Sequence, residues 1–304
     1  MTLPLLAPDQ PSRYTLTRMG VIRLEGAERV HYLNGQVTCD VAALPVGGQS
    51  LGAHCDPKGK VWSSFRLLVL PEQLLLVSSR ELFAKALPEL KKYGVFAKVS
   101  ISDASEQLPV TGIAGAGSDA LIASTLGLSD SGLTASGMAV RVAADRWLLV
   151  GETAELAQLP EAAEADWWGA EIAAGLPTLS AVHQGEYIPQ MLNLQALDGI
   201  SFSKGCYMGQ ETVARAKYRG ANNRSLHILQ GTAPAQVVAG DELELSLGEN
   251  WKRSGMVLDC WQQGQSLLLS AVLPLDLAPD ARLRLKAQPD SSLQLVPLPY
   301  SLSE

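Results

Sequence analysis

The residue pattern predicts an α+β protein that ends in a small β-barrel, and three observations lead to that prediction. Up to about residue 175, short apolar runs alternate with single helical stretches, an order that gives a sheet covered on one face by helices. From Arg224 onward only strands follow, with turn signals at Gly231, Gly240-Asp241, Gly248-Glu249-Asn250 and Gly264. Between these parts, residues 177 to 223 show little periodicity, and so long an irregular stretch inside a folded protein is usually functional.

Taken in order, Thr15 to Leu24 reads as one or two short strands interrupted by Gly20. Gly26 opens a helix with Ala27, Val30, His31 and Leu33 at helical spacing, closed by Asn34-Gly35-Gln36. Leu51 to Cys55 and Val61 to Leu70 flank Asp56-Pro57-Lys58-Gly59, a hairpin closed by turn formers. Leu74 to Val77 is the next strand, Arg80 to Lys92 an amphipathic helix, and Val95 to Ile101 alternates as a strand. After the strand at Val110, Gly115-x-Gly117-x-x-Ala120 imitates a dinucleotide-binding turn. The helix behind it reaches only about Leu126, and the acids nearest the ribose-binding position, about 20 residues on, are Asp130 and Asp145, so an ordinary strand, turn and helix is expected. Gly127 to Gly137 is a loop, Ala139 to Val150 forms two strands around Ala144-Asp145, and Ala165 to Ala174 is a helix carrying Trp167 and Trp168.

Composition narrows the function classes. The 304 residues allow two or three domains, each with its own core, and 47% hydrophobic with 18% charged residues describes a soluble globular chain. Met1 to Gln10 carry no Lys or Arg, so no secretory leader is expected. The apolar stretch from Leu67 is broken by Pro71, Glu72 and Gln73 well short of the roughly 20 residues that span a membrane. A cytoplasmic protein with no membrane partner is the expectation. Cys39, Cys55, Cys206 and Cys260 form no C-x-x-C pair, which argues against a disulfide framework and against a metal bound by this chain alone. A net charge of -7 opposes a large nucleic-acid-binding surface. Glu152, Glu155, Glu161, Glu164, Asp166 and Glu171 form an acidic run without Lys or Arg, read as a solvated helix face.

The chemistry concentrates in Ser203 to Gly220. Cys206 stands between Gly205 and Gly209, with Lys204 before it and Tyr207, Gln210 and Glu211 after it. From Lys204 to Arg224 there are five basic residues, Lys204, Arg215, Lys217, Arg219 and Arg224, and one acid, Glu211. Positive neighbours favour the thiolate, the nucleophilic form, so Cys206 is the candidate functional thiol. The glycines would admit a close approach by a ligand or partner.

Lys204-Gly205-Cys206-Tyr207-x-Gly209-Gln210-Glu211 resembles the signature of the YgfZ family. Flanking segments extend the resemblance: Gln184 to Gln190, Asn193 to Leu197, Gly199 to Phe202, Val213 to Lys217, and Arg219 to Asn222. It implies the fold of the glycine-cleavage aminomethyltransferase (T-protein), with three domains around a central channel. The expected divisions are 1–105 with 178–223 as an N-terminal α+β domain that binds folate, 106–177 as a middle α+β domain, and 224–304 as the barrel. The resemblance also implies folate (tetrahydrofolate or a derivative) as cofactor, held in the channel against Trp167, with Met19 where the family has a second tryptophan. It further implies support of iron–sulfur enzymes or their assembly factors, including those that modify tRNA (thiomodification), and an indirect influence on replication initiation.

Aminomethyltransferases of this fold carry essential acids in a segment that matches Cys55 to Ser64, where Ser63 and Ser64 replace the two carboxylates. Three readings follow: a folate-binding accessory protein with Cys206 as its thiol, a folate-dependent one-carbon (aminomethyl) transferase, and a tRNA-binding module using Lys204 to Arg224. The missing acids oppose the second, and the acidic total opposes the third.

Overall fold

A computed structural model describes residues 8–220 and 222–302 of the chain. The run Leu74-Leu75-Leu76-Val77 lacks polar alternation because both faces of its strand are covered. In chain order come β1 (Ser12–Thr15), β2 (Met19–Glu25), α1 (Arg29–Asn34), β3 (Gln49–Cys55), β4 (Val61–Val69), β5 (Gln73–Ser79), α2 (Phe83–Tyr93) and β6 (Ser100–Asp103). Five of these strands form an antiparallel sheet in the order β3-β4-β5-β2-β6. Neighbouring strand residues point to opposite faces. Ile22, Leu24, Leu67, Leu74 and Leu76 therefore lie beneath α1 and α2, against Leu33, Phe83 and Leu90. Val21, Leu68, Leu75 and Val77 point the other way.

That second face meets another sheet. It is built from β7 (Val110–Ala114), β8 (Gly132–Leu133), β9 (Met138–Ala143) and β10 (Arg146–Val150), in the order β1-β7-β10-β9-β8, with α3 (Ser118–Leu126) following β7. The early strand β1 thus crosses out of the first sheet, and Ser12 to Thr15 pair with Ala114 to Thr111. Tyr14, Val110, Met138, Val140 and Leu148 face the first sheet, and Trp167 and Trp168 of α4 (Glu164–Ala173) join that interior. Ile113, Ala139, Trp147 and Leu149 face outward onto Ile122 of α3. Gly112 is required in β7 by this packing, since a Cβ there would lie 2.4 Å from Trp167 Cε3.

After α5 (Gln210–Tyr218), the strands β11 (Arg224–Thr232), β12 (Glu242–Leu247), β13 (Asn250–Gln263), β14 (Ser266–Pro274), β15 (Leu283–Leu285) and β16 (Gln288–Val296) close into a barrel. Its order is β11-β14-β13-β12-β15-β16, and Leu229, Leu243, Val257, Leu269 and Leu293 fill it. The expected C-terminal barrel is therefore present, within an α+β molecule.

Three expectations need correction. Val95 to Val99 is not strand: Gly94 starts a turn, Ala97 N–H donates to Gly94 O at 3.1 Å, and Phe96 is 98% exposed. The irregular stretch contains α5, which sequence periodicity did not reveal because Val213 and Ala216 are its only buried side chains. The acidic run is a solvated face only at Glu152 and Glu155, which are exposed, and its other four acids are engaged. Glu161 pairs with Arg13 at 2.7 Å and accepts from Thr15 N–H, Glu164 accepts from Thr17, Arg18 N–H and Trp168, Asp166 accepts from the Trp261 indole of the barrel, and Glu171 pairs with Arg146. These acids tie α4 and the segment before it to β1, β10 and β13.

Candidate functional site

The signature loop is held by its backbone. Met208 N–H donates to Gly35 O at 3.1 Å, at the end of α1. Gly209 has φ 80° and begins α5, and a Cβ there would stand 2.6 Å from Asp56 O and 2.8 Å from Gly59 Cα. Gly59, in the β3–β4 turn, has φ 76°, and its own Cβ would meet Thr212 at 2.7 Å. Two glycines therefore let the hairpin turn and the start of α5 touch backbone to backbone. Gly205 has no such role, since a Cβ there would meet nothing within 4 Å.

Cys206 is exposed at the tip of this loop. The other three thiols are at least partly buried: burial pushes Cys39 up to about 11, Cys260 up to about 12, and Cys55 still higher. Tyr207 is buried beside the thiol, and burial raises its hydroxyl above the ordinary phenol value. Gln210 and Glu211 open α5, where Glu211 pairs with Arg215 at 2.5 Å on the exposed side.

The positive surroundings expected for the thiol are mostly engaged elsewhere. Lys204 Nζ donates to the carbonyls of Asn34 (2.6 Å), Val37 (2.7 Å) and Cys39 (2.7 Å), and lies 4.9 Å from the Tyr207 ring centroid. Burial pulls this ammonium down to about 8, opposed by Cys39 and Asp40. Arg224 donates into the barrel wall, to the carbonyls of Ser254 and Val272. Lys217 lies over the Phe202 ring at 4.1 Å. Arg219 follows α5 on the exposed surface.

Met19 and Trp167 meet in a different place, a cavity of about 70 Å³ between the two sheets and the chain from Leu176 to Leu179. Ser64 and Arg66 project into it from alternate positions of β4, with Ser78 and Ser79 from β5 and Glu171 from α4. Trp167 is 1% exposed, carries the Arg146 guanidinium over its ring at 4.1 Å, and its indole N–H has no partner. Burial lowers the Arg66 proton affinity while Glu171 opposes the shift, and Arg66 donates to Gln49 at 2.6 Å. Glu171 and Arg146 form a buried pair at 2.5 Å. Arg66, Arg146 and Glu171 were not foreseen as site residues. Arg66 carried a signal, a lone cation in the apolar run of β4.

A pteridine needs an apolar slot with polar groups at its edge, and Met19, Trp167, the three serines and Arg66 have that character. The free indole N–H of Trp167 is an unused donor in the same wall. The space is smaller than the roughly 300 Å³ at which small-molecule pockets begin. Entry of such a ligand therefore requires flexible lining side chains, Met19 and Arg66 foremost, to move.

Residues 222–288 match the family described as YgfZ, beta-barrel domain. The chain is 42% identical over 306 residues to the tRNA-modifying protein YgfZ of Yersinia enterocolitica, covering 95% of this chain and 92% of that protein. It is 45% identical over 296 residues to the protein of the same name from Vibrio atlanticus, covering 93% and 90%. The chain belongs to the YgfZ family. The glycine cleavage system aminomethyltransferase T of Bartonella henselae shares its fold, with a TM-score of 0.71 over 97% of this chain and 87% of that one at 15% identity. In this YgfZ-family chain the signature thiol and the Trp167 cavity lie apart, since no signature-loop residue lines the cavity.

Proposed function

We propose that this chain is a folate-binding accessory protein in tRNA modification, supporting iron–sulfur enzymes, with Cys206 as its functional thiol. The observation that carries the reading is the convergence of Met19, Trp167, Ser64 and Arg66 on one cavity in a member of the YgfZ family. Reduced folate, when bound, supplies an electron-rich, one-carbon-carrying pteridine. Trp167 and Met19 form its apolar wall, the Trp167 indole N–H and the Ser64 hydroxyl offer polar contacts, and Arg66 provides a cation for the ligand's anionic part. Cys206 stands ready at the surface for a partner protein.

Aminomethyl transfer has less support. Ser64, where the transferase segment has an acid, lines the cavity and donates to Pro177 O at 3.2 Å, and the lining carboxylate Glu171 is neutralised by Arg146. A carboxylate needed to steady a cationic amine is thus not free. The decisive experiment titrates tetrahydrofolate into the wild type and Ser64→Phe, which fills the cavity, with tRNA thiomodification profiled in cells lacking the gene and carrying each variant or Cys206→Ala. Saturable binding lost in Ser64→Phe, with modification restored by neither variant, is expected. No saturable binding by the wild type would remove the folate assignment, and full restoration by Cys206→Ala would remove the thiol.

A further inference from the structure

A second cleft, of about 640 Å³, opens in the barrel where β12 meets β13 and the chain from Pro274 to Arg282 folds over them. It shares no lining residue with the Trp167 cavity, and its size lies within the roughly 300–1,000 Å³ of small-molecule sites. Arg224, Lys252, Arg253 and Arg282 line it against Asp276 and Asp280, although the whole chain carries a charge of -7.

These four cations outnumber the two aspartates that share the lining. The Arg224 guanidinium is fixed by the carbonyls of Ser254 and Val272, which orient its charge without cancelling it. Arg253 shares the single carboxylate of Glu242 with Lys286, at 2.6 and 2.5 Å. Arg253 also lies close enough to disfavour the charge on Arg224. Lys252 and Arg282 are exposed, and among the described residues no acid pairs with either. The Ser254 hydroxyl in the same wall is buried without a partner.

We propose that this cleft is a phosphate site, which takes a phosphomonoester or phosphodiester between Lys252, Arg282 and the fixed guanidinium of Arg224. A guanidinium fork matches two oxygens of a phosphate, and the phosphate's negative charge relieves the repulsion among neighbouring cations. Leu245, Leu247 and Leu277 supply an apolar wall for the organic part of the ligand.

Calorimetric titration of the full chain with inorganic pyrophosphate at low ionic strength tests the proposal. Saturable binding is expected, weakened at least about tenfold in Lys252→Ala/Arg282→Ala and tightened in Asp276→Asn/Asp280→Asn. The second variant keeps the test decisive if the first fails to fold. A labelled oligouridylate of about twelve nucleotides separates the sources. Oligonucleotide binding displaced by pyrophosphate assigns the phosphate to a nucleic-acid backbone, and pyrophosphate binding alone assigns it to a small phosphate ester. Absence of saturable pyrophosphate binding, unchanged affinity in the variants, or citrate binding as tightly as pyrophosphate overturns the proposal.

Discussion

Lys204 and Cys206 are two residues apart in sequence, yet their side chains do different work. Three carbonyls at and beyond the end of α1 surround the Lys204 ammonium, while Cys206 is exposed. Sequence proximity suggested that Lys204 activates the thiol, and a linear reading cannot show which way a loop side chain turns. Lys204→Met should cost about 1.5–3 kcal/mol of stability, because charge-assisted hydrogen bonds are lost and the carbonyls are left without their donor. The same change should leave the iodoacetamide reaction rate of Cys206 within about twofold of wild type. In the unaltered protein, Cys206 should react faster than Cys39, Cys55 and Cys260, whose burial holds them as thiols. Peptide mapping of labelled protein at neutral pH reads both rates. A tenfold slowing in Lys204→Met would restore the activating role.

At the scale of elements, the contact between the β3–β4 turn and α5 rests on two glycines with positive φ. Gly209→Ala should destabilise by about 1–3 kcal/mol, since strain at φ 80° adds to a 2.6 Å clash with Asp56 O. Gly205→Ala, next to Cys206 in the same loop but in neither strain nor contact, should change stability by less than about 0.5 kcal/mol. Urea unfolding of both variants compares them directly, and equal losses would mean that the seam is not what fixes the loop. Most strands were legible because their cores form apolar runs, as in Leu74 to Val77. By contrast α5 was hidden, because a helix with two buried side chains leaves no apolar stripe. The crossing of β1 into the second sheet was also hidden, because pairing with a strand about a hundred residues away leaves no local trace. The two aromatic-cavity positions, Met19 and Trp167, were reached through family resemblance. Their neighbours Arg146 and Glu171 depend on tertiary packing and could not be read from spacing.

Across the whole molecule, buried and half-buried histidines are distributed over the parts that the acidic segment and the long loop tie together. His54 lies in the first sheet with neither ring nitrogen bonded, against the Trp62 ring at 5.0 Å, and burial lowers it to about 3. His183 joins the long loop to the barrel through Val257 O at 2.9 Å, and His227 bonds Pro274 O at 3.0 Å within the barrel, both lowered by burial. A histidine whose folded value lies below its unfolded 6.5 adds stability that is complete above that pH and is lost as the pH falls toward the folded value. Each one protonated only in the unfolded chain steepens the loss by about 1.4 kcal/mol per pH unit. The carboxylates with depressed values contribute at lower pH, as Arg141 holds Asp119 at about 2, and burial raises Asp259, whose contribution is common to the wild type and a histidine variant, so comparing the two isolates the histidine. Urea unfolding free energies should therefore fall steeply from pH 7 to pH 5, and His54→Phe should fall less steeply by about 1.4 kcal/mol per unit. His54→Phe is the suitable probe because it keeps a ring against Trp62 and removes only the titration. Identical slopes in the two proteins would show that His54 takes up its proton in the folded state, and that its unbonded nitrogens are reached by water or by an acid when the pH falls.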